Sequence, residues 1–290
     1  MKAALIQRSF TASKEENAAR CVEQVKEAAK NGAKLVVLSE LHNSLYFCQS
    51  ENVAFFDLAE TIPGESTERF GAVAKECGIV LVLSLFEKRA KGLYHNTAVV
   101  METDGSVAGL YRKMHVPDDP CFYEKFYFAP GDLGFKPINT SAGRLGVLIC
   151  WDQWYPEAAR LMALNGADVL IYPTAIGWNP QDSDAEKARQ LDAWQTIQRS
   201  HAIANALPTI AANRVGYENG QNGEGDGISF WGGSFICGAQ GEFLARADLD
   251  EVTLYADLDF NRSETTRRIW PFLRDRRVES YGDITKRFVD

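Results

Sequence analysis

Short apolar runs alternate with helix-like segments along this chain, and the alternation restricts the possible folds more than any other feature of the sequence. The runs at residues 35–38 (LVVL) and 146–149 (GVLI) are continuously apolar, which is typical of strands covered on both faces. Ser13 and Ser183 are each followed three residues later by a glutamate, a capping-box pattern that opens a helix. We therefore predict an α/β protein in which two sheets pack together and helices cover the outer faces.

The other elements follow from the same two patterns. Further strands are predicted at residues 2–7, 79–86, 96–102, 107–112, 169–172, 209–212, 233–237, 243–247 and 253–257. Helices are predicted at residues 13–30, 67–77, 157–165 and 183–205. Residues 113–134 form a long polar and aromatic loop, and loops of that length are usually functional.

Composition and charge argue against several classes of protein. The net charge of −8 disfavours a general nucleic-acid or anionic-membrane binder. The six cysteines form no CxxC pair and have no metal-type spacing with the four histidines. The chain enters a strand directly after Met1, without a signal-peptide core, and contains no run of about 18 apolar residues. We expect a cytoplasmic protein with reduced thiols, and neither nucleic acid nor membrane as a partner.

The C-terminal residues differ in character from the rest of the chain. From residue 260 onward, arginines crowd together with Trp270, Pro271 and Phe272. A nucleic-acid patch is one interpretation, but the acids among the arginines favour a segment that packs on its own domain or on a partner subunit. We therefore predict one large domain over residues 1–260 and a C-terminal extension over residues 261–290.

Cys150 lies where one predicted strand ends and the next helix is about to begin. Pro156 suits the first position of that helix, and Glu157 suits its first turn. A thiol at such an elbow is exposed to the positive end of the helix dipole, which predicts a stabilised thiolate. A buried core cysteine is the alternative interpretation of the same residue.

Two charged residues resemble Cys150 in their position. Glu40 follows the predicted strand at 35–38, and Lys113 follows the strand at 107–112. Residues beyond strand ends gather in one crevice of an α/β sheet, so a carboxylate, an ammonium and a thiol are expected to meet. The carboxylate can act as a base for the thiol, and the ammonium can stabilise an oxyanion. Taken singly, either charge is also compatible with a solvated loop.

Three short motifs around these residues carry a family resemblance. The segments at 38–40 (LSE), 111–115 (YRKMH) and 148–152 (LICWD) resemble, in that order, the signatures of the nitrilase (carbon–nitrogen hydrolase) superfamily. The resemblance covers essentially the whole chain. It implies a four-layer α-β-β-α sandwich in which Glu40 is the general base, Lys113 holds the oxyanion and Cys150 is the nucleophile. It also implies a second glutamate, matched by Glu124, and no metal or other cofactor.

Within the superfamily, the resemblance is closest to amidohydrolases that act on N-carbamoylputrescine. The pointers are the segments at 113–120, 150–157 and 173–177. A carbamoylated amine needs acidic or aromatic walls around its distal ammonium. The residues that follow the Cys150 elbow include Asp152 and Gln153, and the next arginine, Arg160, falls inside the helix, which also favours a cationic substrate. The candidate substrate-binding residues are Tyr46, Asp118, Asp119, Trp151, Trp178 and Asn179.

The resemblance implies hydrolysis of N-carbamoylputrescine to putrescine, carbon dioxide and ammonia, and a homo-oligomer of two or more subunits. Asn179 departs from the family pattern, in which an acid occupies that position, so another residue, such as Asp118 or Asp119, has to pair with the distal amine. Trp154 is a further candidate cation–π contact, although core packing explains a tryptophan equally well. The nearest alternative is an amidase of the same fold acting on β-ureido acids or ω-amides. A catalytically silent binding module is the alternative from another class.

Overall fold

The computed structural model describes residues 1–220 and 227–289. Its strands are β1 (Lys2–Gln7), β2 (Leu35–Val37), β3 (Val80–Ala90), β4 (Leu93–Met101), β5 (Val107–Arg112), β6 (Ile138–Thr140), β7 (Gly143–Val147), β8 (Val169–Pro173), β9 (Gly177–Trp178), β10 (Thr209–Ala212), β11 (Val215–Glu218), β12 (Ile228–Trp231), β13 (Phe235–Cys237), β14 (Phe243–Arg246) and β15 (Val252–Asp257). Its α-helices are α1 (Lys14–Lys30), α2 (Glu65–Cys77), α3 (Glu124–Tyr127), α4 (Pro156–Leu164), α5 (Asp184–Asn205) and α6 (Phe260–Ile269).

Two six-stranded mixed sheets form the centre of the molecule. The first has the order β15-β1-β2-β3-β4-β5, with β1, β2 and β3 parallel. The second has the order β14-β13-β10-β8-β7-β6, with β7, β8 and β10 parallel. A small sheet of β11, β12 and β9 lies beside them. Parallel strands in each centre explain the continuous apolar runs, because both faces of such strands are covered.

Successive residues of the central strands pack into different layers. Leu35 and Val37 belong to the core between the two sheets, whereas Val36 packs with α1 and α2 on the outer face. On the far side, Trp194 of α5 packs against Phe235 of the second sheet. The predicted sandwich of two sheets with helices outside is therefore confirmed.

Ser13 and Ser183 cap helices as expected, although only the serine half of each predicted capping box is formed. The Ser13 hydroxyl accepts a hydrogen bond from the Glu16 N–H at 3.2 Å, and the Ser183 hydroxyl accepts one from the Glu186 N–H at 3.3 Å. These bonds satisfy N–H groups that have no acceptor inside the helix, and they define the starts of α1 and α5.

Some elements were not predicted from the sequence. The strands β6, β9, β11 and β12 are only two to four residues long, so no periodicity is measurable in them. The helix α6 lies in the arginine-rich C-terminal region, where Asp259 caps it by accepting from the Arg262 N–H at 3.1 Å. In the part of the chain that the structure describes, no helix is both long and apolar enough to cross a membrane.

Candidate active site

Glu40, Lys113 and Cys150 each follow a strand of the two central sheets, at the ends of β2, β5 and β7. All three are buried, with exposed fractions of 0%, 1% and 3%. The Glu40 N–H donates to the Thr174 carbonyl at 3.3 Å, and the Lys113 N–H continues the ladder to the Asn96 carbonyl at 2.9 Å. The sheets thus hold the main chain of both charged residues.

Lys113 lies between two buried carboxylates. Its Nζ is 2.8 Å from Glu40 Oε1 and 2.6 Å from Glu124 Oε2. Asn96 Nδ2 donates to Glu40 Oε1 at 2.6 Å, and the Tyr46 hydroxyl donates to Glu124 Oε1 at 2.7 Å. Buried charges persist in proteins when they are paired and hydrogen-bonded in this way.

Burial and the neighbouring charges have opposite effects on the pKa of Lys113. Burial by itself would lower the pKa of Lys113, but Glu124 and Glu40 outweigh it and raise that pKa well above its usual value. Lys113 is therefore an ammonium at neutral pH. Burial raises the pKa of Glu124 to about 7, although Lys113 pulls that pKa in the opposite direction.

Cys150 is the first residue of a short 3-10 helix, Cys150–Trp154, and α4 begins later at Pro156. Its φ of 43° is left-handed, a conformation that is unfavourable by about 1–2 kcal/mol for a residue with a side chain. Such strain is typical of functional positions at sharp turns. The turn expected at Cys150 is present, but it leads into a short 3-10 helix rather than directly into the predicted α-helix.

The expected stabilisation of the thiolate is not found. Burial, with a further contribution from Glu40, raises the pKa of Cys150 well above its usual value, and the opposing effect of Lys113 is smaller. The helix that begins at Cys150 has only five residues, so its dipole cannot outweigh the loss of solvation. The resting side chain is therefore a thiol that needs a base.

Glu40 has one carboxylate oxygen free for that role. Its Oε1 is engaged by Lys113 and Asn96, whereas Oε2 is buried and has no hydrogen-bond partner among the residues that the structure describes. The charge of Glu40 also acts on Cys150, which places the two groups in one electrostatic unit. A base, an ammonium and a thiol are thus arranged for nucleophilic attack on a carbonyl carbon.

A cavity of about 530 Å³ opens at Cys150. Its apolar walls are formed by Phe122, Trp151, Trp154, Ile176 and Trp231. Its polar side chains are Asp119, Asn179, Asp182, Glu186, Arg189 and Gln190. A mainly apolar pocket with a few polar groups is the usual form of a small-molecule site.

Three of the six candidate substrate-binding residues line this cavity, namely Trp151, Asp119 and Asn179. The other three lie elsewhere. Tyr46 is buried against Glu124, Asp118 is exposed, and the indole N–H of Trp178 donates to the Lys187 carbonyl at 3.0 Å. Tyr46 therefore belongs to the catalytic cluster rather than to the wall of the cavity.

Several cavity residues were missed by sequence reasoning. Asp182 lies just before α5, and Glu186 and Arg189 lie near its start, more than 30 positions after Cys150. Glu186 was interpreted from the sequence only as part of a capping box. The arginine that follows the elbow in the sequence, Arg160, does not line the cavity, whereas Arg189 of α5 does. Its guanidinium is paired with Glu186, with Nε 3.1 Å from Oε2.

No metal centre is indicated within residues 1–220 and 227–289, where no group of three or more His, Cys, Asp or Glu side chains has a ligand-like arrangement.

Comparisons with known proteins find relatives that cover nearly the whole chain. The chain is 43% identical over 268 residues to an N-carbamoylputrescine amidase of Solanum lycopersicum, covering 91% of this chain and 88% of that protein. It is 42% identical over 293 residues to a citrullinase of Francisella tularensis, covering 99% of each. A crystal structure of a carbon-nitrogen hydrolase from Helicobacter pylori G27 is 56% identical, covers 100% of this chain and 99% of that one, and superposes with a TM-score of 0.97.

The family model for carbon-nitrogen hydrolases matches residues 2–268, which include both sheets and every catalytic candidate. Together with the fold and the similar proteins, this match settles the family. The chain belongs to the carbon–nitrogen hydrolase (nitrilase) family and is an amidase-type hydrolase of that family.

Proposed function

We propose that this enzyme hydrolyses N-carbamoylputrescine to putrescine, carbon dioxide and ammonia, and so contributes to polyamine biosynthesis. The observation that carries the proposal is the charge of the cavity beyond Cys150. Among the residues that the structure describes, three carboxylates, of Asp119, Asp182 and Glu186, line it against the one guanidinium of Arg189. The similarity to plant N-carbamoylputrescine amidases supports the same substrate.

The cavity suits a substrate with a neutral head, an apolar stem and a cationic tail. Arg189 is already paired with Glu186, so the carboxylates of Asp119 and Asp182 supply the uncompensated negative charge. An ammonium at the tail gains from these charges, and the tryptophans can contact the methylene stem. Anchoring the tail positions the ureido carbon near Cys150, which lowers the entropic part of the barrier.

In the first half-reaction, Glu40 Oε2 takes the proton of the Cys150 thiol while the sulfur attacks the ureido carbon. Negative charge moves to the carbonyl oxygen, where the Lys113 ammonium stabilises it. The backbone N–H of Trp151 is a second donor, since N–H groups at the start of a helix lack an acceptor inside it. The tetrahedral intermediate then expels ammonia, which receives the proton held by Glu40, and leaves a carbamoyl thioester on Cys150.

In the second half-reaction, Glu40 takes a proton from water, and the hydroxide attacks the thioester carbon. The carbon–sulfur bond breaks, and the proton returns from Glu40 to the sulfur. The product is the N-carboxylate of putrescine, which loses carbon dioxide in solution to give the free amine. Glu124 keeps Lys113 charged and in place through both half-reactions.

Citrulline is the second candidate substrate, and Arg189 is the observation that favours it. An α-amino acid tail carries a carboxylate and an ammonium, which would pair with Arg189 and Glu186 respectively. The similarity to the citrullinase is in keeping with this possibility. Because binding citrulline in this way would break the existing ion pair between Arg189 and Glu186, we rank citrulline below N-carbamoylputrescine as a substrate.

The substrate is tested by measuring ammonia release from N-carbamoylputrescine, citrulline and N-carbamoyl-β-alanine at equal concentrations. We expect N-carbamoylputrescine to have the highest kcat/KM, and Cys150→Ala to lower it by at least about 10³-fold. A higher value for citrulline, lost in Arg189→Gln, would replace the proposal by the second candidate. A higher value for N-carbamoyl-β-alanine would overturn the cationic interpretation of the cavity.

Two neighbouring aspartates provide a matched pair of variants that test which residue binds the ammonium end of the substrate. Asp119 lines the cavity, whereas Asp118 is exposed and does not. We expect Asp119→Asn to raise KM for N-carbamoylputrescine about tenfold, the effect of losing one partly solvated charge pair, with Asp118→Asn unchanged. Equal effects of the two variants would contradict direct pairing of Asp119 with the substrate.

A further inference from the structure

The segment from Glu40 to Tyr46 supplies two side chains to the active site without being a helix or a strand. Its first residue places a carboxylate on Lys113, and its last places a hydroxyl on Glu124. Leu41 within it has a left-handed φ of 48°, which is unfavourable by about 1–2 kcal/mol. Such a segment keeps one conformation only when its surroundings impose it.

Arg214 provides contacts along the first part of this segment. It precedes β11, is fully buried, and directs its guanidinium at main-chain carbonyls. Nη2 donates to the Glu40 carbonyl at 2.6 Å and to the Leu41 carbonyl at 3.1 Å. Nη1 donates to the Ser44 carbonyl at 3.2 Å.

Glu218, at the end of β11, holds the other end of the segment. Its Oε1 accepts from Arg214 Nη1 at 2.9 Å, and its Oε2 accepts from the Tyr46 N–H at 2.6 Å. The two side chains are 0% and 3% exposed. Aromatic rings cover the guanidinium of Arg214. Its Cζ lies 4.6 Å from the centroid of the Phe10 ring and 5.2 Å from that of the Phe230 ring.

A buried ion pair is weak evidence for stability, because desolvation offsets most of its attraction. Arg214 and Glu218 also form hydrogen bonds with the main chain of residues 40–46. The effect of the pair is therefore on the conformation of this segment. We propose that Arg214 and Glu218 are positioning residues for catalysis, which clamp this segment so that the Glu40 carboxylate stays beside Lys113, where its charge acts on the Cys150 thiol. The inference concerns the shared chemistry of the site and does not depend on which ureido substrate is used.

The test compares Arg214→Lys with a buried arginine that does not touch the segment. Arg8 is 1% exposed, donates to Gln24 Oε1 at 2.8 Å and also packs near Phe10. Arg8→Lys therefore controls for the general effect of changing a buried guanidinium. Lysine keeps the charge but cannot donate to three carbonyls and a carboxylate in a fixed plane.

We expect Arg214→Lys to lower kcat by about 30- to 100-fold with KM within about threefold, because a displacement of about 1 Å at the base has effects of that size. Alkylation of Cys150 by iodoacetamide, followed by site-resolved mass spectrometry, is expected to slow in parallel, since it needs the base but no oxyanion. Glu218→Gln, which retains an acceptor for Tyr46, is expected to have a smaller effect of the same kind. Arg8→Lys is expected to change only the thermal midpoint.

The proposal is overturned if kcat and the alkylation rate of Arg214→Lys match those of Arg8→Lys once both are corrected for the folded fraction. A loss expressed mainly in KM would also contradict it, because the clamp does not touch the substrate cavity. If Arg214→Lys fails to fold, Glu218→Gln decides, since its side chain has the same shape as the original. An unchanged kcat in that variant would then exclude the clamp.

Discussion

Lys113 contacts the carboxylates of both Glu40 and Glu124. The role of the charge on Glu124 can be tested with a variant that keeps the shape of its side chain. Gln at position 124 can still accept from Lys113 and can turn its NH2 toward Tyr46. We expect Glu124→Gln to lower kcat about 100-fold, because one of the two anions that keep Lys113 charged is lost. The measurement is steady-state ammonia release. Tyr46→Phe removes only a hydrogen bond and should lower kcat about tenfold; activity of Glu124→Gln within threefold of the parent would contradict this role.

The protonation state of Cys150 gives a second prediction at this scale. Because burial raises the pKa of this thiol, the thiolate should appear only at alkaline pH, above the range in which ordinary thiols ionise. The measurement is the ultraviolet absorbance of thiolate as a function of pH, taken as the difference between the parent and Cys150→Ala. A difference signal already present at neutral pH would mean that the free enzyme holds a preformed thiolate.

The candidate catalytic residues could be identified from the sequence because each follows a strand in a short, distinctive motif. Position alone brought Glu40, Lys113 and Cys150 together, and the family resemblance added Glu124. The protonation of Cys150 was not accessible, because it depends on burial by residues distant in the chain. Arg189 was missed for the same reason, since helix packing rather than proximity in sequence brings α5 to the cavity.

At the level of elements, a buried ion pair ties together three strands of the first sheet just before Lys113. Arg112 on β5 contacts Glu87 on β3 with two bonds of 2.7 Å, and Thr97 on the intervening β4 donates to Glu87 at 2.6 Å. Burial by itself would raise the pKa of Glu87, but the hydrogen bonds from Arg112 and Thr97 outweigh it and lower that pKa. The carboxylate form is therefore the one that stabilises the folded sheet.

This pair predicts a pH-dependent effect on stability. The folded pKa of Glu87 is below its unfolded value, so its contribution is present above the unfolded pKa and is lost as the pH falls through the folded one. We expect Glu87→Gln to lower the free energy of unfolding by about 2 kcal/mol at neutral pH and by less below about pH 4. Urea unfolding of the parent and the variant, at neutral pH and below about pH 4, measures this difference in the free energy of unfolding. Glu76→Gln, in an exposed pair with Lys26, is the control, and a deficit independent of pH would contradict the assignment.

Elements with strong local signals were predicted closely, and elements defined by tertiary contact were not. The strand at residues 2–7 and the helix after Ser13 match β1 and α1, since a buried apolar run and a cap are local features. The two residues of β9 form a strand only because β12 pairs with them. The helix α6 had a usable cap in Asp259, but its many arginines concealed the pattern.

For the molecule as a whole, the layered architecture follows from strands whose successive side chains face different layers, and this was predictable. The proposed division at residue 260 remains a prediction; α6 begins there, and residues 270–289 continue beyond it. Three arginines of this region pair with neighbouring acids, namely Arg268 with Glu264, Arg274 with Asp275 and Arg277 with Glu279. Such pairing favours a packing role for the extension over binding to nucleic acid.

The extension leaves large apolar side chains on the surface of a single subunit. Trp270 is 47% exposed, Phe272 43%, Ile284 64% and Phe288 79%. The charge of Arg276 acts on Arg160, so the extension lies close to α4, where Leu161 and Leu164 are also exposed. Exposed apolar groups concentrated in one region indicate a protein–protein contact.

We therefore predict a homo-oligomer in which this region contacts a second copy of the chain. The double variant Trp270→Ser, Ile284→Ser should dissociate the oligomer, because each change removes apolar area that the partner subunit would cover. Light scattering coupled to size exclusion gives the mass of the parent and the variant at equal concentrations. Val53→Ser, which changes an apolar residue that is 74% exposed and far away along the chain, should leave the mass unaltered. A monomeric parent, or an unchanged mass in the double variant, would mean that the extension serves only its own subunit.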